Sequence, residues 1–269
     1  MFRGGIKMKL AVVGDEIGTS IQEQIESLKK ANISNIELRK VDDKYLWEFS
    51  KEELKSIKKI LDNEKIKVIT LDSPVGKKPI PYERKIELFD IYLDISEIFE
   101  NEYIRIFSNL GRNIDEKEIK ENLKVLCKKA KVRNIKLLME NERKTYAESP
   151  VDCLKLIKEE ENINIIFDLS NAFLEGYDVF DAYEKSKERI NYIHIRDFDI
   201  KTNKYAHLGQ GDIKIEKFME VLKRDNFNGV ISIETHLPMN ESGETKQELF
   251  LKSIDMFYDI LKKLKIEVK

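Results

Sequence analysis

A rhythm constrains this chain more than any single motif. Eight short runs of β-branched and other apolar residues recur at 9–13, 35–38, 67–71, 103–107, 136–139, 163–167, 192–195 and 230–233. Segments with helical spacing separate them. The repeat is close to the roughly 30 residues of a strand–helix–strand unit. Strict alternation dictates parallel strands, because each crossover helix returns the chain to the same end of the sheet. Eight such units with no linker or low-complexity segment predict an α/β chain, a single-domain (β/α)8 TIM barrel over residues 9–269. Residues 1–8 are then an N-terminal extension, and Met8 is an alternative start. An open doubly wound sheet is the rival architecture. Its glycine-rich phosphate loop is missing, since the turn after the first run reads GDEIGTS.

Helix starts are marked by capping chemistry. Ser20 with Glu23 and Ser50 with Glu53 have the spacing in which side chain and backbone cap each other. Ile21, Ile25 and Leu28 follow at helical spacing. The connection DSPVGKKPIP holds three of the five prolines, so it is a long loop. Helices are predicted over 82–99 and 246–264. One opens at Asp115 with Glu118, one at Ser149–Pro150, and one spans 213–222. A helix-length polar segment joins the sixth and seventh strands.

Composition narrows the function classes. Of 269 residues, 41% are hydrophobic, enough for a large core. Charged residues are 36%, but the two signs nearly cancel to a net −2, without the basic surplus of a nucleic-acid footprint. No apolar run approaches the roughly 18–20 residues that span a bilayer. Cys127 and Cys153 are isolated thiols in helical patterns. The expectation is a cytoplasmic protein with no nucleic-acid or membrane partner.

In such barrels the chemistry sits at the C-terminal strand ends. Four consecutive strands there carry ligand-type side chains: Glu140, Asp168, His194 and Glu234. Singly, each has a plainer reading: a strand-end carboxylate is usually a helix cap, and a strand histidine is usually packed. Together, three carboxylates and an imidazole make an oxygen/nitrogen set suited to Mn²⁺, Co²⁺, Mg²⁺ or Zn²⁺.

The chain resembles the xylose-isomerase-like TIM barrels, the sugar phosphate isomerase/epimerase group. The motifs are GDEI (14–17), IELR (36–39), YIRIFS (103–108), MENE (139–142), FDLSNAF (167–173), YIHIRD (192–197), HLGQGDI (207–213) and GVISIETH (229–236). The resemblance implies the same four metal ligands. It implies further that Glu140 and Glu234 are the catalytic acid/base pair, moving a proton beside a carbonyl of a small carbohydrate. Two positions depart from the family pattern. Asn171 stands where several members have histidine, and Arg196 where many have lysine. Asn171, Arg196, His236 and Glu142 are the candidate substrate contacts. Asp197 is a supporting residue that positions His194 or the adjoining loop.

The remaining candidates read more plainly. Gly209 and Gly211 suit a tight turn. Glu37 and Arg105 are expected to form an ion pair inside the barrel. Trp47 and Phe173 are expected to pack, and Lys77, Lys78 and Arg143 stand out little in so lysine-rich a chain. The predicted function is a metal-dependent isomerase or epimerase of a sugar, ketose or sugar phosphate. The alternatives are a keto-polyol dehydratase on the same site and a non-catalytic metal- or sugar-binding barrel. An endonuclease with a three-zinc cluster needs more histidines than the three present. A homo-oligomer is compatible with the sequence.

Overall fold

A computed structural model describes residues 7–237 and 243–269. The barrel strands are β1 (Lys7–Val13), β2 (Asn35–Leu38), β3 (Lys67–Asp72), β4 (Tyr103–Ile106), β5 (Lys136–Glu140), β6 (Ile163–Asp168), β7 (Ile190–Ile195) and β8 (Val230–Ile233). All neighbours run parallel, and Lys9 to Val12 of β1 pair with Val230 to Ile233 of β8, which closes the barrel. The expected fold is therefore the observed one. Residues 1–6 of the expected N-terminal extension lie outside the described residues, and β1 begins at Lys7. A short C-terminal strand, Glu267–Val268, pairs with the start of β1 and was not foreseen.

The helices follow their sequence signals. α1 (Ile21–Lys30) and α2 (Lys51–Asn63) open on the two reciprocal caps, with Ser20 and Ser50 accepting from the amides of Glu23 and Glu53. α3 covers Tyr82–Phe99, α4 Glu116–Val132 and α5 Pro150–Ile157. The segment between β6 and β7 holds two helices, α6 (Leu169–Leu174) and α7 (Val179–Ser186), broken at Gly176, whose φ is +83°. α8 (Ile215–Arg224) starts two residues later than the apolar spacing suggested, because Lys214 is left-handed with φ +60°. α9 covers Lys246–Leu264. No described helix is long and apolar enough to cross a membrane.

Strand parity sorts the side chains into two layers. Outward residues such as Val12, Ile36, Ile104, Met139, Phe167, Ile193 and Ile233 pack under the helices in the main core. Inward residues near the N-terminal end form a small apolar plug of Ala11, Ile69, Leu138, Ile166, Tyr192 and Val230. Above it, Glu37, Asp72, Arg105, Glu140, Asp168, His194, Arg196 and Glu234 lie inside the barrel, all buried, and Asp72, three residues beyond Ile69, does so because the alternation of β3 shifts by one residue. A register shift between Ile36 and Glu37 in the β2–β3 pairing sets Glu37 opposite Thr70.

Two hairpins interrupt the βα rhythm. Lys40–Val41 pairs with Lys44–Tyr45 directly after β2. Asp197–Asp199 pairs with Lys204–Ala206 after β7. Each arm is only two or three residues long, too short for an alternation pattern to register in sequence.

Candidate metal centre

Four strands deliver the four predicted ligands to one point. Glu140, Asp168, His194 and Glu234 each offer a ligand atom, and these atoms all lie within 4.8 Å of one another. Glu140 and Asp168 end their strands, and Asp168 pairs in register with His194. His194 Nδ1 faces the carboxylates, 3.3 Å from Glu140 Oε1 and 3.8 Å from Glu234 Oε2. Its Nε2 points the other way, 3.1 Å from both oxygens of Glu37. A histidine ligand needs such a partner on its far nitrogen to fix the ring. Glu37 thus acts on His194 and forms no ion pair with Arg105. That corrects the expected Glu37–Arg105 pairing: the guanidinium lies instead 3.3 Å from Asp72 and 2.9 Å from Glu140.

Three arginines surround the ring. Arg105 serves Glu140. Arg196 Nη2 is 2.7 Å from Asp168 Oδ2, and its Nη1 is 3.3 Å from Glu234 Oε2. Arg39 reaches Glu234 at 2.7 Å, Glu16 at 2.6 Å and Asp15 at 2.9 Å. These neighbours set the protonation states. Burial alone would raise Glu140, but Arg105 and His194 outweigh it and hold the carboxyl at about 2. Glu234 is also buried, and His236 and Arg196 pull it well below the ordinary carboxylate range. Asp168 goes the other way: burial lifts it to about 6 against the pull of Arg196. Burial would lower His194, yet Glu37 and Glu140 raise it well above a normal imidazole.

The donor set fits a divalent cation. Its mixture of hard carboxylate oxygens and one imidazole is the chemistry such ions select. Buried Glu140 Oε2 and Asp168 Oδ2 lie beside guanidinium nitrogens but have no hydrogen bond of acceptable geometry. The raised His194 and Asp168 are the groups from which a cation would displace protons.

The other predicted site residues divide. Asn171 and Arg196 join the ring and each other. Arg196 donates to Asn171 Oδ1 at 2.9 Å, and Asn171 Nδ2 donates to the carbonyl of Asn141. His236 sits between Glu234 and Glu16, at 3.2 and 3.1 Å, with its backbone at φ +46°. Glu142 stays apart on the rim, paired with Lys77 at 2.8 Å.

Asp197 grips its loop. Its carboxylate accepts from the amides of Phe198, Gly209, Gly211 and Ile213 at 2.9 to 3.2 Å. Gly211 must be glycine for this approach, since a Cβ there would stand 2.3 Å from Asp197 Oδ1. Asp197→Ala strands buried amides and is expected to cost about 3 kcal/mol, read as a lowered midpoint in chemical denaturation. Asp197→Asn retains one acceptor oxygen and is expected to lose less. Equal stability of Asp197→Ala and the parent would show that the loop finds other partners.

Sequence reasoning missed Arg39, Asp72 and Glu16. Arg39 had a usable signal: two residues beyond Glu37, it shares that residue's inward parity at a strand end.

The sequence pattern of the xylose isomerase-like TIM barrel family matches residues 25–259. No curated protein sequence matches the chain. Among solved structures, the IOLI protein with a bound zinc atom superposes with a TM-score of 0.80 at 18% identity, covering 96% of this chain and 99% of that one. An L-ribulose 3-epimerase gives 0.75 at 14% identity, covering 96% of each chain. The probable 3-DHS dehydratase AsbF from Bacillus anthracis gives 0.74 at 15% identity, covering 93% and 99%. At these identities the structures share the fold, and the matched sequence pattern supplies the family. The chain belongs to the xylose isomerase-like TIM barrels.

Proposed function

We propose that this protein is a divalent-metal-dependent isomerase or epimerase of a small sugar, ketose or sugar phosphate. One observation carries the reading: Glu140 and Glu234 flank Asp168 and His194 in strand order, so two ionised carboxylates face one enclosed point from β5 and β8. Glu140, Asp168, His194 and Glu234 would hold the cation. When bound, it supplies Lewis-acid polarisation of a substrate carbonyl.

The chain's own residues do the rest. Both glutamates are kept ionised at neutral pH by their cationic neighbours, so each is in the unprotonated form that a base taking a proton from the carbon beside a carbonyl requires. One takes the proton and the other returns one. Return to the opposite face of the same carbon is epimerisation; return to the adjacent carbon is aldose–ketose isomerisation. Arg105, Arg39 and Arg196 stay charged, so they orient the carboxylates and exchange no protons themselves. Substrate contact falls most readily to His236, whose side chain is 33% exposed, and to Glu142 on the rim. Asn171 and the Nη groups of Arg196 are engaged with each other and with the ring and shape its floor.

The test is exchange in deuterated water. The metal-loaded protein, incubated with a panel of ketoses and ketose phosphates, is expected to place deuterium on a carbon beside the carbonyl. Loss of a β-hydroxyl in the product would instead identify a dehydratase. A metal-loaded protein that exchanged no panel member would sink the isomerase reading.

A further inference from the structure

The hairpin after β2 carries a cluster that the metal centre does not use. It leaves the C-terminal end of the strand one residue after Arg39, whose guanidinium touches Glu234. Its turn residues, Asp42 and Asp43, both have positive φ, 52° and 60°, the tight two-residue turn whose twist matches its strands. Cross-strand pairing sets Lys40 opposite Tyr45, and Lys40 Nζ lies 4.5 Å from the ring centre. Tyr45 stacks on Trp47 with centroids 4.2 Å apart and planes 13° from parallel. Lys78, on the loop after β3, closes over both rings at 4.8 and 4.6 Å.

The cluster is anchored at several points. Val41 and Leu46 are buried in the core. The amide of Asp42 donates to the carbonyl of Thr19, Gln24 donates to the carbonyl of Lys40, and Glu48 caps the amide of Tyr45. Trp47 packs on Tyr92, whose hydroxyl reaches the carbonyl of Asp72 beneath the ring.

Several other rim cations are tied up in ion pairs. Lys77 is paired with Glu142, Arg112 with Glu148 and Glu175, and Arg143 with Glu175. Among the described residues Lys40 and Lys78 form no ion pair; the faces of Tyr45 and Trp47 hold them. A cation over an aromatic face keeps its charge and most of its donors available. Two such lysines converging on one stack leave a positive site beside an apolar surface.

We propose that Lys40, Lys78, Tyr45 and Trp47 form an oxyanion subsite at the barrel mouth, in which the stacked rings hold the two ammonium groups toward the anionic end of the substrate. Resting on the reading of the barrel as a sugar enzyme, this narrows the substrate to a phosphorylated or acidic sugar.

Trp47 is the only tryptophan in the chain, so its fluorescence reports on this site alone. Metal-free protein is titrated with inorganic phosphate and, separately, with acetate, each against chloride at matched ionic strength. A saturable change with phosphate supports a phosphate ester as the ligand group, and one with acetate supports a sugar carboxylate. Either response should need about tenfold more anion, or vanish, in Lys40→Ala/Lys78→Ala, and persist in Lys77→Ala. No saturable response to either anion, or an unchanged response in the double variant, overturns the proposal. Deuterium exchange on neutral ketoses reads the metal centre independently, so failure here with exchange intact removes the subsite alone.

Discussion

Glu234→Gln is expected to abolish turnover, by about 10³-fold or more, in a protein that still folds and still binds metal weakly. The amide matches the carboxylate in shape and keeps an oxygen toward the ring. It cannot take a proton from carbon, and it removes the negative charge that Arg39, Arg196 and His236 converge on. Glu140→Gln should behave alike, because Glu140 is held in the same ionised state by Arg105. The measurement is deuterium wash-in alongside turnover. An enzyme that loses turnover but keeps exchange would assign proton abstraction to the other glutamate. Full activity in a metal-loaded Glu234→Gln variant would remove it from the acid/base pair.

The second large effect is on stability. Saturating Mn²⁺, Co²⁺ or Zn²⁺, at about 100 times its dissociation constant, adds about 2.7 kcal/mol to the folded state. For a chain of this size that corresponds to a rise in melting temperature of about 5–10 °C. Asp168→Asn should erase most of the rise. The shift should also depend on pH with a definite sign. In the cation-free protein Asp168 sits at about 6 in place of 3.8, so the folded state favours its protonated form. That contribution is full below about 3.8 and is lost as pH rises through 6. Metal needs both Asp168 and His194 deprotonated, so once pH falls below about 6 each unit of pH costs about a hundredfold in affinity, one factor of ten for each proton displaced. Thermal shifts should therefore grow from pH 5 upward, with proton release seen as a buffer-dependent binding enthalpy. A shift that shrank with rising pH would contradict this.

The convergence of Glu140, Asp168, His194 and Glu234 was legible because each of these residues advertises itself locally. A strand-end Asp, Glu or His on an apolar β-branched run is a pattern of a few residues, and four consecutive strands repeat it. The arginine collar was not legible. Arg39 finds Glu234 across 195 positions of sequence, and only barrel closure brings them together. The Glu37–Arg105 expectation failed for a related reason. Both point inward, but Arg105 lies beside Asp72 and Glu140 on its own side of the barrel, while His194 claims Glu37. The starts of α1 and α2 were legible from their reciprocal caps at Ser20 and Ser50. That of α8 was not, because nothing in the composition of Lys214 foretells a left-handed backbone.

Asp168 has a divided allegiance. One oxygen, Oδ1, accepts the amide of Asn171 at 2.7 Å and so begins α6; the other, Oδ2, faces Arg196 and the ring. Electron density drawn toward a cation on one oxygen is withdrawn from the other. The Asn171 amide is therefore a built-in indicator: its proton resonance should move with occupancy of the centre while its own side chain touches no metal. A whole helix is thus wired to the state of one carboxylate, and signals arriving at the ring have a rigid element through which to leave it.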